Sequence, residues 1–189
     1  MKTYTIIGGV NGVGKSSLTG VLTAQRGDLG IVVDTDKITA EASGNRIQGG
    51  KNAVKRIDSC LDMGINFTQE TTLSGQRTLK TIKKAIERGY YIRLYYIGVN
   101  TAEESIKRIK NRVEKGGHSI SDEAVRRRYN KRFEDLLTVL PYCGEAHFFD
   151  NENGFTEKAE YKNGQLFIKG DDIPDWLTKF KQELQKAGS

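Results

Sequence analysis

A three-layer α/β fold with a mainly parallel sheet is what this chain predicts, on three observations. Strand-like apolar runs alternate with helix-like stretches along the sequence, the pattern of βα units whose crossovers enforce parallel pairing. The first apolar run, Tyr4-Thr5-Ile6-Ile7, leads into Gly9-Val10-Asn11-Gly12-Val13-Gly14-Lys15-Ser16, and a helix-like stretch follows from Ser17. Two later strand-like runs end in carboxylates, at Asp34 and Asp36 and at Glu70, on the edge where parallel sheets bind ligands.

The segment from Gly9 to Ser16 matches G-x-x-x-x-G-K-[ST], the phosphate-binding loop, in the strand-to-helix context that this motif requires. Each fixed position has its own chemical reason. Gly9, Gly12 and Gly14 let the backbone N–H groups of the loop, from Asn11 and Val13 through to Ser17, turn inward around phosphate oxygens. The helix start adds the positive end of its dipole, Lys15 reaches the β and γ phosphates, and Ser16 offers a hydroxyl to Mg²⁺. A nucleoside triphosphate with Mg²⁺ is therefore the expected ligand, and the fold expected is a small-molecule-kinase-like P-loop architecture.

At 189 residues the chain suits one domain, residues 1–189, with no repeat, linker or low-complexity tract to divide it. No apolar run approaches the ~18 residues of a membrane span, and the N-terminus enters the phosphate loop without a signal-peptide pattern. Only Cys60 and Cys143 are present, which fits a reducing, cytoplasmic setting rather than a disulfide framework. The net charge of +6 is concentrated. Between Lys107 and Arg132 ten Lys or Arg residues face three acids, while the rest of the chain is close to balanced. One compact basic element beside a triphosphate site points to anionic small-molecule chemistry more than to a long polyanion.

The elements follow in order. Gly30–Val33 is a short buried strand ending at Asp34-Thr35-Asp36, and a helical region broken at Gly49-Gly50 runs to about Met63. Ile65–Glu70 is the next strand, and the helix from Gln76 to Arg88 carries Leu79, Ile82 and Ile86 on one apolar face. Tyr90–Val99 is the most strand-like stretch. Thr101 caps a helix with Glu103 and Glu104 in its first turn and its basic residues towards the end, the polarity the helix dipole prefers. That helix stops at Gly116-Gly117, and Ser121 starts another whose apolar face is Val125, Tyr129, Phe133, Leu136, Leu137 and Leu140. The two helices and their glycine-rich hinge have the form of an arginine-bearing lid over about residues 107–132. Ala146–Asn151 supplies the last sheet strand, Asn163-Gly164 turns a hairpin, and Asp175–Ala187 is a final amphipathic helix.

What is missing narrows the function. No acidic pair follows a long hydrophobic strand, N-K-x-D is absent because Asn130-Lys131-Arg132-Phe133 lacks the aspartate, and no D-x-x-G occurs. Motor ATPases and signalling GTPases are therefore disfavoured, leaving the small-molecule kinase class. Phosphoryl transfer to an alcohol asks for a carboxylate near the attacking hydroxyl and positive charge on the group in flight. Asp36 is the first candidate for the base and Asp34 its competitor, with helix capping as the alternative role for either. Glu70 is placed to orient substrate or to hold a metal-bound water. Arg112 and the triplet Arg126-Arg127-Arg128 are candidate transition-state stabilisers. At 100° per residue, Arg126 lies about 45° from the centre of its helix's apolar face, with Arg127 and Arg128 further out. His118 is a loop histidine to which no ligand role is assigned.

The phosphate loop, Asp34-Thr35-Asp36-Lys37-Ile38, Phe67-Thr68-Gln69-Glu70-Thr71-Thr72-Leu73-Ser74-Gly75 and Arg112-Val113-Glu114-Lys115-Gly116-Gly117-His118, followed by Arg127-Arg128-Tyr129, resemble the zeta-toxin group of kinases. The likeness runs from the N-terminus to about Leu140. It implies transfer of the γ-phosphate of ATP, with Mg²⁺, to a hydroxyl of a UDP-sugar such as UDP-N-acetylglucosamine. It further implies Lys15 on the phosphates, Asp36 as base, Glu70 and Thr72 towards the acceptor, and Arg112 with a second lid arginine, Arg126 or Arg128, on the transferred group. An antitoxin protein is the partner such a resemblance brings with it. Two other functions share the loop: a nucleotide-gated nucleic-acid-binding module and a nucleic-acid end kinase. The first is disfavoured because only Tyr129 interleaves the basic segment, too few aromatics for base stacking.

Overall fold

The computed structural model describes residues 1–41, 45–117 and 119–188, with the side chains at positions 36, 40, 41 and 46 outside that description. β1 (Lys2–Gly8) is buried from Thr3 onward and is the middle strand of the five parallel ones. It pairs in parallel with β3 (Phe67–Thr71) on one side and β4 (Tyr90–Gly98) on the other. β2 (Ile31–Asp34) adds outside β3 and β5 (Glu145–Asp150) outside β4, again parallel. β5 is not the last sheet strand that the sequence suggested, because the antiparallel β6 (Thr156–Lys162) and β7 (Gln165–Ile168) extend the sheet beyond it, giving the order β2-β3-β1-β4-β5-β6-β7. Near-continuous apolar runs such as Tyr90–Gly98 are what strands covered on both faces require.

Side-chain alternation then sorts the core into two layers. Ile7, Tyr95 and Ile97 face α1 (Lys15–Gln25) and pack with Val13, Leu18 and Leu22. Tyr4, Ile6, Phe67, Leu94 and Tyr96 face the opposite way, onto α3 (Arg46–Met63), α4 (Arg77–Glu87), α6 (Asp122–Val139) and α7 (Asp175–Ala187). The fully buried Trp176 and Phe180 of α7 each stabilise this layer by about 2–3 kcal/mol. α5 (Ala102–Glu114) lies against α6 through Ile106, Ile109 and Val125. No described helix is long and apolar enough to cross a membrane.

Local chemistry sets most boundaries as expected. Thr101 Oγ1 accepts from Glu104 N at 3.2 Å, Ser121 Oγ accepts from Ala124 N at 3.3 Å, and Asn45 Oδ1 caps α3 by accepting from Gln48 N at 3.0 Å. The β6–β7 hairpin turns on Asn163 (φ 52°) and Gly164 (φ 79°), the left-handed pair that a tight turn needs. Three further expectations are corrected. Gly49-Gly50 does not break a helix. It lies inside α3, where a Cβ on Gly49 would stand 2.2 Å from Thr39 Oγ1 of α2 (Thr35–Glu41), so the glycine lets two helices touch. β2 ends at Asp34, so Asp36 belongs to the first turn of α2 and not to a strand end. On α4, Ile82 is buried, but Ile86 is exposed and Thr78, Thr81 and Ala85 complete the covered face.

Candidate active site

The carboxyl ends of the strands carry the chemistry. β1 delivers the chain into the phosphate loop, and the parallel register sets Ile7 beside Glu70 and Glu70 beside Asp34 across three neighbouring strands. The loop is built on left-handed glycines, Gly12 at φ 82° and Gly14 at φ 99° among them. A Cβ at Gly12 would sit 2.6 Å from Ser105 O, and one at Gly14 would sit 2.6 Å from Asn151 Nδ2, so both residues also admit neighbouring chain. Gly14 stands at the N-cap of α1, whose first N–H groups face the loop without a capping side chain.

Lys15 curls over the loop and donates to Gly9 O at 3.0 Å and to Val10 O at 3.1 Å. Its ammonium is thus held over the cradle. One residue on, Ser16 Oγ donates to Glu70 Oε2 at 2.7 Å, and Thr19 Oγ1 donates to Glu70 Oε1 at 2.6 Å. Glu70 is buried, and burial pushes its carboxyl above the ordinary range, partly offset by these two hydroxyl bonds. Nearby Asp34 raises it further, while Lys15 lowers it.

Asp34 Oδ1 accepts from Lys37 N at 3.2 Å, which is the capping role for the first turn of α2. Asp34 and Thr35 also line the cleft. Asp36 follows them in α2, and its side chain lies outside the described residues, as does His118 altogether.

Above the loop is a cleft of about 640 Å³, a volume suited to a nucleotide-sized ligand. Asn11, Gly12, Gly14, Lys15, Ser16 and Ser17 form its floor, and Glu70 and Thr72 its side. Ser74 to Thr78, at the start of α4, close the far end, while Arg108, Arg112 and Arg128 come in from α5 and α6. Of the sequence-predicted site residues, Arg126 is not brought to this cleft. It forms an exposed ion pair with Glu103 on the outer side of the helix pair. The reason is geometric: the apolar face of α6 points at the core, and the cleft lies off its flank, where Arg128 Nη1 donates to Asn11 Oδ1 at 2.6 Å.

Sequence reasoning missed three residues. Arg108 lines the cleft and donates through Nη2 to Asn151 O at 2.6 Å. Its spacing four before Arg112 puts the two on one helix face, a signal that could have found it. Asn151 follows β5, and its Nδ2 donates to Val13 O at 2.9 Å, so the end of the sheet braces the loop. Gln69 also lines the cleft, beside Glu70 in sequence but on the opposite face of β3. Nothing local distinguishes either amide. Among the described residues no group of three or more His, Cys, Asp or Glu side chains forms a metal cluster.

With this geometry in place, the likenesses of the chain are informative. A family model described as Zeta toxin matches residues 48–139. An uncharacterized protein of Haemophilus influenzae is 36% identical over 126 residues, 64% of this chain and 88% of that one. The PezAT chromosomal toxin-antitoxin system of Streptococcus pneumoniae contains a chain of similar fold, with TM-score 0.67 and 15% identity over 98% of this chain and 85% of that chain. A chain of the AvrRxo1-ORF1:AvrRxo1-ORF2 complex with ATP has TM-score 0.65 and 14% identity, covering 97% of this chain and 63% of that chain. At such identities the two structural likenesses speak for fold alone.

Proposed function

We propose, from the match of residues 48–139 to the Zeta toxin family model, that this chain is a zeta-toxin-like P-loop kinase and that it transfers the γ-phosphoryl group of ATP to a hydroxyl of a small anionic acceptor, a UDP-sugar such as UDP-N-acetylglucosamine. The observation that carries the reading is the convergence of Arg108, Arg112 and Arg128 on one cleft with Lys15, with room beyond the loop for a second molecule. Positive charge from both sides is what the transferred group needs, because phosphoryl transfer relies on positioning and charge stabilisation.

The residues present fit Mg²⁺. Ser16 hydroxyl and the Glu70 carboxylate form an oxygen-only pair at the helix start, and Mg²⁺ prefers few protein oxygens together with phosphates and waters. Ser16 would hold it, Glu70 would order its water shell, and the ion would neutralise charge on the phosphate oxygens. This gives Glu70 a metal-side role beyond the acceptor-side one implied by resemblance.

Asp36 takes the proton of the acceptor hydroxyl as that oxygen forms its bond to Pγ and the bond from Pγ to the bridging oxygen breaks, releasing ADP. Lys15 balances the β and γ phosphates throughout. Arg112 and Arg128 stabilise the equatorial oxygens of the moving group, and Thr72 lines the acceptor side. The protein acts in the cytoplasm, and the likeness to a toxin-antitoxin system supports an antitoxin protein as its partner.

The test is γ-labelled ATP against UDP-sugars, nucleosides and 5′-hydroxyl DNA and RNA oligonucleotides. Label on a UDP-sugar supports the reading. Label only on oligonucleotides replaces the acceptor with a nucleic-acid end, and phosphate release at an acceptor-independent rate removes the kinase assignment.

A further inference from the structure

β3 divides the cleft. Glu70 and Thr68 face α1, whereas Phe67, Gln69 and Thr71 face the α3–α4 layer, where Thr71 Oγ1 meets Thr78 Oγ1 of α4 at 3.2 Å. Gln69 is 5% exposed, yet it lines the cleft on this second side. Its Oε1 accepts from Tyr4 OH at 2.5 Å, and Tyr4, fully buried, is stacked on Phe67 at 4.4 Å. Burial, and to a lesser degree the nearby Cys143, holds the Tyr4 phenol far above its usual titration range. It therefore stays a protonated donor.

That bond fixes which way the Gln69 amide points. Tyr4 OH has no other hydrogen-bond partner among the described residues, so turning the amide round would leave its proton unsatisfied in an apolar layer. The carbonyl is thus committed to Tyr4. The Nε2 group, with no partner among the described residues, is left to the cleft as a pre-oriented pair of N–H donors. Thr72, Ser74 and Arg77 line the same cleft.

We infer that Gln69, oriented by Tyr4, is a specificity-determining residue that donates a hydrogen bond to an oxygen of the phosphoryl acceptor, selecting acceptors that present a hydroxyl or carbonyl oxygen at that point. A polar site of this kind discriminates because an acceptor lacking the oxygen leaves the buried donor unpaired. The inference rests on the kinase reading and deepens it on the acceptor side.

The experiment measures initial rates at saturating ATP with UDP-N-acetylglucosamine, or with the panel acceptor phosphorylated fastest if that is another. Wild type is compared with Gln69→Leu, Gln69→Glu and Tyr4→Phe, with melting temperatures taken in parallel. Gln69→Glu keeps an oxygen to receive the Tyr4 proton and replaces the N–H donor with a second carboxyl oxygen, so it tests the contact even if Gln69→Leu folds poorly. Both Gln69 variants should raise KM for the acceptor by about tenfold or more while KM for ATP stays within about twofold. Tyr4→Phe should give a smaller rise of the same selectivity, because the amide is freed to rotate. Turnover with an unchanged acceptor KM in both Gln69 variants overturns the inference alone. Absence of turnover with every acceptor overturns the kinase reading and this inference together.

Discussion

Ser16 Oγ donates to Glu70 Oε2 at 2.7 Å, joining the first turn of α1 to the end of β3 across 54 positions of sequence. The bond couples the hydroxyl expected on the metal to a buried acid, which under the proposed mechanism puts Glu70 in the metal shell. Glu70→Gln keeps the size of the side chain and removes the charge. It should lower kcat by about 10²-fold and raise the Mg²⁺ concentration needed for half-maximal rate. A Mg²⁺ titration of the variant that matches wild type would remove Glu70 from the metal side.

Lys15 bridges Gly9 O and Val10 O, so its removal costs the loop two carbonyl contacts and, under the proposed mechanism, the triphosphate its main cation. Lys15→Ala should retain the fold, with a melting temperature lowered by only a few degrees, and lose about 10³-fold in turnover. Calorimetry with ATP and the acceptor assay read the two effects separately.

The lid arginines separate cleanly. Arg128→Ala should lower kcat by about 10²-fold, since Arg128 reaches the loop at Asn11. Arg126→Ala should stay within about twofold in rate and leave stability close to wild type, because it breaks only an exposed pair with Glu103. Equal losses in both variants would mean that the helix pair rotates on ligand binding.

At the far end of the sheet, Asp28 bonds Arg26 at 2.9 Å and the largely buried Arg93 at 2.8 Å, with Glu145 as a second partner of Arg93. The hydrogen bond from Arg26 is the main reason its carboxyl titrates well below the usual range, with Arg93 adding to it. A depressed folded pKa means stability that is present above the unfolded value, about 3.9, and lost as pH falls through the folded one. Asp28→Asn should therefore destabilise by about 1 kcal/mol at neutral pH, a figure kept small because Asp28 is 39% exposed. Denaturant melts of the two proteins should converge as the pH drops towards 2; a gap independent of pH would refute the ionic origin.

A packing test is available at Gly98. A Cβ there would lie 2.1 Å from the ring of Trp176, whose Nε1 donates to the buried Asp150 at 2.8 Å. Gly98→Ala should cost about 2–4 kcal/mol, since the indole cannot retreat without breaking that bond. Retention of wild-type stability would show that α7 shifts freely on the sheet.

How much was legible depended on the range of the interaction. The phosphate loop, the caps at Thr101 and Ser121 and the Asn163-Gly164 turn are decided within a few residues, and the structure has them where the pattern put them. The helical wheel of α6 was right about the core, with Val125, Phe133 and Leu136 buried. It left Arg126 and Arg128 both open for the cleft, and only the packing shows that the cleft lies along the flank that carries Arg128. Likewise the spacing of Asp34 and Asp36 suggested one strand, but α2 begins at Thr35.

The sequence alone determined that a triphosphate cradle opens the fold and that acids and arginines are available to serve it, because strand, glycine loop and helix start are contiguous in the chain and need no distant partner. Tertiary structure decided which of those groups meet: Glu70 with Ser16, Arg128 with Asn11, Tyr4 with Gln69. Those pairs span 54, 117 and 65 positions. Sheet order and helix packing set their distances, and these depend on burial summed over the whole core rather than on any local pattern.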